Sequence, residues 1–209
     1  FSGTGTLLPV RGLRPLYGLY WRTVKLPKPV GPGENVSVEI VASITMPNKQ
    51  GRWGHWQGIH YLTNALPVVA YYDDKGWHAM PFVPWHQPWY NEAGTFRATL
   101  TVPEDEKVAC SAQIKSETKL GNGSKRVECE PFVGRDFAVL TSARYREFTG
   151  TTKLPDGRQV ALKVLAFPEH EFYATEILKM VGEAIPVYSQ WFGAYPYSHF
   201  TVAESYFGW

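Results

Sequence analysis

Apolar side chains recur at every second position through most of this chain, between glycine and proline turns, and the pattern changes at Pro168. Val36, Val38, Ile40, Ala42, Ile44 and Met46 alternate with mostly polar neighbours, as in a strand that buries one face. This run opens after Gly31-Pro32-Gly33 and closes at Pro47-Asn48, both turn signals. Phe96, Ala98, Leu100 and Val102 repeat it up to Pro103, and Val108, Cys110, Ala112 and Ile114 predict a third strand. Shorter candidates lie at residues 17–25, 57–61, 67–72, 125–130, 137–142 and 159–167. Many strands with Gly/Pro-rich turns and no helix between them predict a mainly β, antiparallel two-sheet fold.

From Pro168 the spacing becomes three and four. Tyr173, Ile177, Met180, Val181, Ala184, Tyr188, Trp191 and Phe192 follow the stripe of an amphipathic helix. Pro168 suits the helix start, where an amide would be unpaired in any case. Pro186 lies inside the pattern and is expected to kink or divide the helix. Gly193 closes it, Tyr195-Pro196-Tyr197 turns the chain, and residues 200–204 read as a short strand. Residues 1–167 are thus expected to form a β-rich domain, and 168–209 the opening of an α/β unit.

Composition excludes some functions. Hydrophobic residues make up 44% of the 209 and charged residues 19%, enough apolar surface for a packed core. The net charge is +2 and no basic cluster exceeds Lys125-Arg126, which argues against nucleic acid or an acidic membrane as partner. No run approaches the roughly 18 apolar residues of a membrane span, so no membrane contact is expected from this segment. The absence of an initiator Met and the apolar end Phe207-Gly208-Trp209 read as cut ends. A signal or anchor could have preceded Phe1, which leaves localisation open, membrane-associated and secreted forms included. Cys110 and Cys129 flank a hairpin turning at Gly121-Asn122-Gly123. That turn would put position 134 opposite Cys110, so a disulfide needs a bulge or wider loop, and two buried thiols are the simpler expectation. Asn35-Val36-Ser37 and Asn122-Gly123-Ser124 fit the glycosylation acceptor pattern, which short polar loops match by chance.

Candidate chemistry is sparse. A zinc helix of the His-Glu-x-x-His type needs two imidazoles one turn apart. The His-Glu pair here is His170-Glu171, and the position four after His170 is Ala174, so no metal site is expected there. His55 and His60 differ by an odd number and would face opposite sides of a straight strand. His78 and His86 are separated by Pro81 and Pro84. The stretch from Tyr71 to Tyr90 is dense in Trp, Tyr and Pro. It reads as a self-packed loop over the edge of the β domain, or as an aromatic binding platform.

The order of several segments resembles the zinc aminopeptidases of the membrane-alanyl-aminopeptidase (gluzincin) family. Asn64-Ala65-Leu66-Pro67-Val68-Val69-Ala70-Tyr71-Tyr72-Asp73-Asp74-Lys75-Gly76-Trp77 is similar to an apolar strand entering that family's Tyr-Asp-x-x-Gly-Trp turn. Tyr90-Asn91-Glu92-Ala93-Gly94-Thr95-Phe96, with Ala98 to Pro103, resembles its Glu-x-Gly-x-Phe strand. Arg135-Asp136-Phe137-Ala138 and Ser142-Ala143-Arg144-Tyr145 resemble the close of its N-terminal domain. Tyr188 to Tyr197 resembles the helix end and Phe-Gly-x-Tyr-Pro-Tyr turn that open its catalytic domain. The resemblance covers residues 55–209 or so. It implies a β-rich N-terminal domain, then the first helix and strand of a thermolysin-like catalytic domain, cut before the Gly-x-Met-x-Asn strand and the zinc ligands. It also implies zinc and peptide substrates for the intact parent, with the remainder of the catalytic domain as partner. The chain alone is then expected to be inert. Gln57-Gly58-Ile59-His60 resembles the Gln-Ala-Ile-His of relatives whose Gln holds the substrate's α-amine, which implies Gln57 as a substrate-binding residue; a plain surface glutamine is the alternative. Glu204 falls near the expected cleft and matches no family position.

Two rivals make different demands. A carbohydrate- or peptide-binding β-sandwich module would present Trp53, Trp56, Trp85 and Trp89 exposed on one face. A metal-free scaffold relative of the peptidase would differ only beyond Trp209.

Overall fold

The computed structural model describes residues 26, 28–63, 66–67, 69–78 and 90–206. The candidate strand at 17–25, together with Val68, Pro81, Pro84, Trp85, His86, Trp89 and residues 207–209, lies outside the described residues. The elements, in chain order, are strands β1 (Trp53–Trp56), β2 (Ile59–Leu62), β3 (Tyr71–Asp73), β4 (Gly76–His78), β5 (Gly94–Phe96), β6 (Thr99–Pro103), β7 (Lys107–Cys110), β8 (Ile114–Lys119), β9 (Ser124–Cys129), β10 (Phe132–Gly134), β11 (Val139–Ser142), β12 (Arg146–Lys153) and β13 (Gln159–Ala166). A 3-10 turn (Pro168–His170), helix α1 (Glu171–Phe192) and strand β14 (His199–Ala203) complete the chain. Among the described residues the fold is mainly β, with several small sheets, antiparallel but for one parallel pair, and one helix.

The residues fall into two compact units, residues 46–67 with 93 onwards forming the larger. In the smaller, β3 and β4 pair as a hairpin through Asp74-Lys75. The Asp73 carboxylate accepts from the Lys75 amide at 2.8 Å and meets His78 Nε2 at 2.8 Å. These bonds, that of His78 foremost, hold the Asp73 carboxyl below the usual carboxylate range. Tyr71 packs edge-on to Tyr90, with 5.0 Å between ring centroids. The alternating segment at 36–46 corrects the sequence reading. It forms no strand, and Val36, Val38, Ile40 and Ile44 are exposed. Alternation marks a face that a sheet could bury, but a ladder needs a partner, and no strand among the described residues pairs with it.

The larger unit is layered. The sheet β1-β2-β11-β7 lies at its centre. One face of it, through Leu62, Val108, Cys110 and Val139, packs against Leu100, Val102 and Val127 of the sheet β6-β9-β8. Its other face, through Ile59, Tyr61 and Ala109, packs against Leu165 and Phe167 at the end of β13. Tyr61 and Phe167 are fully buried, and each such side chain adds about 1.5–3 kcal/mol. Two predicted strands are split between sheets. The chain leaves β5 for β6 after Phe96, and leaves β7 for β8 through Ser111-Ala112-Gln113. Alternation persists across both corners because residues on either side face the same apolar cluster.

The last sheet is β12-β13-β14, with β12 antiparallel and β14 parallel to β13. The crossover between the parallel strands is α1, as a parallel pair requires. Both faces of β13 are covered. Val160, Leu162, Val164 and Ala166 meet α1, and Leu165 meets the central sheet, which explains its near-continuous apolar run. The change of period at Pro168 therefore falls inside an α/β unit whose first two strands precede it.

α1 departs from the sequence reading twice. It runs unbroken through Pro186, because the carbonyl that this proline cannot serve finds a donor on β12. It also lays Ala174, Leu178, Val181 and Ile185 on the sheet, while most of the predicted stripe faces outward, with Trp191 69% and Phe192 80% exposed. The helix is apolar over more of its circumference than one packed face can use.

Candidate functional site

β13 and β14 end side by side at one edge of the α/β unit, where Glu204 donates its amide to the Leu165 carbonyl at 2.8 Å. β12 begins and α1 opens at the same edge, so the residues just outside these elements converge there. Crevices outside the carboxyl ends of parallel strands are where α/β folds bind ligands.

The hairpin β1–β2 delivers Gln57 to this edge. Trp56 and Ile59 pair across a two-residue turn, in which Gln57 has φ 45° and Gly58 φ 84°. Positive φ at both positions is the primed turn that suits strand twist, and Gln57 is the one non-glycine in the described residues to adopt it. Gln57 is therefore a turn residue, not the strand residue expected at 57–61. Side chains elsewhere anchor the turn. Ser142 Oγ donates to the Gly58 carbonyl at 2.6 Å, and Arg144 Nη1 to the Gln57 carbonyl at 3.0 Å. The side-chain amide of Gln57 is exposed and bonded to none of the described residues.

Arg144 joins the turn to the helix start. Its Nη2 meets Glu169 Oε1 at 2.6 Å, and its guanidinium carbon lies 3.7 Å over the Phe167 ring. Hydrogen bonding to its own backbone amide, followed by the Arg144 charge, holds the Glu169 carboxyl below its ordinary value. Glu204 closes the other side. One of its oxygens accepts the Phe167 amide at 2.9 Å and the other meets His170 Nδ1 at 2.7 Å. The Tyr145 hydroxyl donates to the Glu204 carbonyl. Burial, then the Glu204 charge, pushes the Tyr145 phenol up.

Every carboxylate named at this edge is committed to a cation, an imidazole or an amide, whereas the Gln57 amide is not. A neutral acceptor on an immobilised turn suits a cationic or amide-bearing ligand. Gln57 and Glu204 were visible in the sequence. Arg144 and Tyr145 stand in the sequence only within the Ser142-Ala143-Arg144-Tyr145 resemblance, and Glu169 only as an acidic residue of the first helical turn.

Among the described residues the other candidates do not assemble. His55 and His60 correct the sequence reading. They are direct partners across the β1–β2 hairpin, with ring centroids 5.9 Å apart, because the turn at Gln57-Gly58 folds one apparent strand into two. His60 Nδ1 meets Glu106 at 3.1 Å. Among the described residues no three or more His, Cys, Asp or Glu stand close enough to hold a metal ion. Ala174, four after His170, is buried under the helix. The described residues therefore do not fit a zinc site. Trp56 packs into the core while Trp53 is partly exposed, its ring 5.8 Å from Lys49 Nζ, so these two form no shared platform.

No family model matches the sequence, and no curated protein matches it. Solved structures do. The chain is similar to Legionella pneumophila aminopeptidase A, crystallised with aspartic acid, at TM-score 0.53 and 12% identity over 76% of this chain and 18% of that one. It is also similar to a two-domain M1 zinc metallopeptidase variant bound to L-tryptophan, at TM-score 0.50 and 21% identity over 85% of this chain and 40% of that one. The chain thus shares the fold of part of these enzymes, and the match covers less than half the length of either.

Proposed function

We propose that this chain is the substrate-side portion of a zinc-dependent aminopeptidase, with Gln57 contacting the free α-amine of the peptide. The carrying observation is the Gln57 turn, pinned through Ser142 and Arg144 while its side-chain amide stays exposed and bonded to none of the described residues. A left-handed non-glycine residue costs about 1–3 kcal/mol, and such outliers persist where surrounding bonds over-determine them. The amide oxygen of Gln57 accepts a hydrogen bond from an ammonium group.

In this reading the zinc ligands come from outside the chain, which alone is inert. Zinc, when bound by the rest of the protein, supplies the activated water for peptide hydrolysis. The outward face of α1, with Phe172, Tyr173, Met180, Tyr188, Trp191 and Phe192 exposed, is the surface that the remainder of the catalytic domain covers, since a patch this apolar marks an interface. The β-rich domain then ends near Tyr145, with β12 on the catalytic side.

The test is to express the chain within its complete reading frame and measure zinc content and release of N-terminal amino acids from peptides. One bound zinc with chelator-sensitive release supports the proposal. A complete frame that binds no zinc and releases nothing sinks it.

A further inference from the structure

Two thiols in the larger unit serve no part of the site above. Cys110 ends β7 and Cys129 ends β9, strands of different sheets, and their sulfurs stand 3.7 Å apart. The β8–β9 hairpin does turn at Asn122, with Lys119 opposite Lys125, but it is not what joins the thiols. The corner Ser111-Ala112-Gln113 separates β7 from β8 and places the end of β7 over the end of β9. A disulfide forms with its sulfurs about 2 Å apart, so closing the bond brings these two nearer by less than the width of an atom.

The two cysteines differ in burial. Cys110 is buried among Val108, Val127, Phe137 and Val139. Cys129 is half-buried, its side chain on the inward face of β9 that Val127 shares. The hydrogen bond between the thiols lowers Cys129, and the same bond, with burial, raises Cys110. The less buried cysteine is therefore the one favoured as thiolate, the form that attacks disulfides.

We propose that Cys110 and Cys129 are a dithiol that closes reversibly into a disulfide by exchange with a small peptide disulfide of the glutathione class. Cys129 thiolate attacks one sulfur of the disulfide and releases the first thiolate. Cys110, losing its proton, then attacks Cys129 Sγ and releases the second. Two protein thiols are oxidised, one small disulfide is reduced to two thiols, and no further oxidant is needed. The bond ties the central sheet to β6-β9-β8. It sits beside Ser111 and Gln113, which contact His199 at 3.0 Å and Ser198 at 2.9 Å at the start of β14. This inference is independent of the peptidase reading.

The experiment incubates the reduced, folded chain with glutathione disulfide and follows intact mass after quenching. The wild type is expected to lose two hydrogens and keep no adduct. Cys110→Ala is expected to keep one glutathione on Cys129, and Cys129→Ala none. Peptide mapping of the wild type with a thiol reagent, which needs no variant to fold, is expected to label Cys129 well ahead of Cys110. A wild type that keeps both thiols or a lasting adduct, or equal labelling of the two cysteines, would overturn the proposal.

Discussion

Thr152 Oγ1 donates to the Gly182 carbonyl at 2.6 Å, the acceptor that would take the amide of residue 186 if residue 186 were not proline. A strand hydroxyl thus repairs the break that Pro186 makes in the helix ladder. Gly182 also lies close to the sheet, for a Cβ there would stand 3.3 Å from Leu162 Cδ1. Thr152→Val, nearly isosteric, is expected to cost about 1–3 kcal/mol by stranding that carbonyl. In a Pro186→Ala background the helix amide returns, and the same substitution is expected to cost under about 0.5 kcal/mol. Denaturant midpoints for the four proteins of this cycle measure the difference. Equal costs in both backgrounds would show that the hydroxyl does not serve the proline gap.

Arg144 contributes through three contacts, to the Gln57 carbonyl, the Phe167 ring and Glu169. The ion pair is largely exposed and adds at most about 1 kcal/mol. Arg144→Ala is expected to destabilise by about 2 kcal/mol in all, mostly from the stacking and the carbonyl bond. Arg144→Lys should recover less than half, since an ammonium cannot stack and bridge two acceptors at once. Hydrogen exchange at residues 57–59 should rise in both variants. Unchanged exchange there would mean that the turn holds without Arg144.

Glu169 gives the acid side of the stability profile. Its folded pKa is depressed below its ordinary value of 4.5, so its contribution is full above that value and is lost as pH falls through the lower folded one. Glu169→Gln should therefore flatten the stability curve below pH 4.5 relative to wild type. Parallel acid limbs in the two proteins would contradict this.

Tyr145 acts at the alkaline side. Its folded pKa is raised, whereas an unfolded tyrosine ionises near 10.0. Its contribution is present below that value and is lost as pH rises beyond it, because the unfolded chain gives up the proton first. Tyr145→Phe removes the bond to the Glu204 carbonyl, which should cost about 1 kcal/mol at neutral pH. It should also make the loss of stability above pH 10.0 shallower.

Much of this was legible because local chemistry and tertiary structure agree. Pro168, Gly193 and the continuous apolar run of β13 mark elements that packing then uses as expected. The failures share a cause, which is that period reports what a side chain could bury and not what covers it. Val36 to Ile44 alternate without a partner strand among the described residues. β12 has one inward face of Phe148, Gly150 and Thr152, too weakly apolar to stand out. The three-and-four spacing points to the outward face of the helix because α1 is apolar on two. At the site, Gln57-Gly58 is a turn signal hidden inside an alternating run, and missing it also misplaced His55 and His60. Arg144 could be found only from long-range contacts, since its partners lie 87 and 25 residues away.

The most direct measurement is hydrolysis of one peptide in free-amine and N-acetylated forms by the full reading-frame product, with wild-type Gln57 and with Gln57→Ala. Zinc-dependent release is expected from the free-amine peptide only. Gln57→Ala is expected to raise KM for that peptide by about tenfold, the loss of one hydrogen bond to a charged group. Equal hydrolysis of the acetylated peptide, or a Gln57→Ala enzyme with unchanged KM and kcat, would contradict the assignment of Gln57 to the substrate amine.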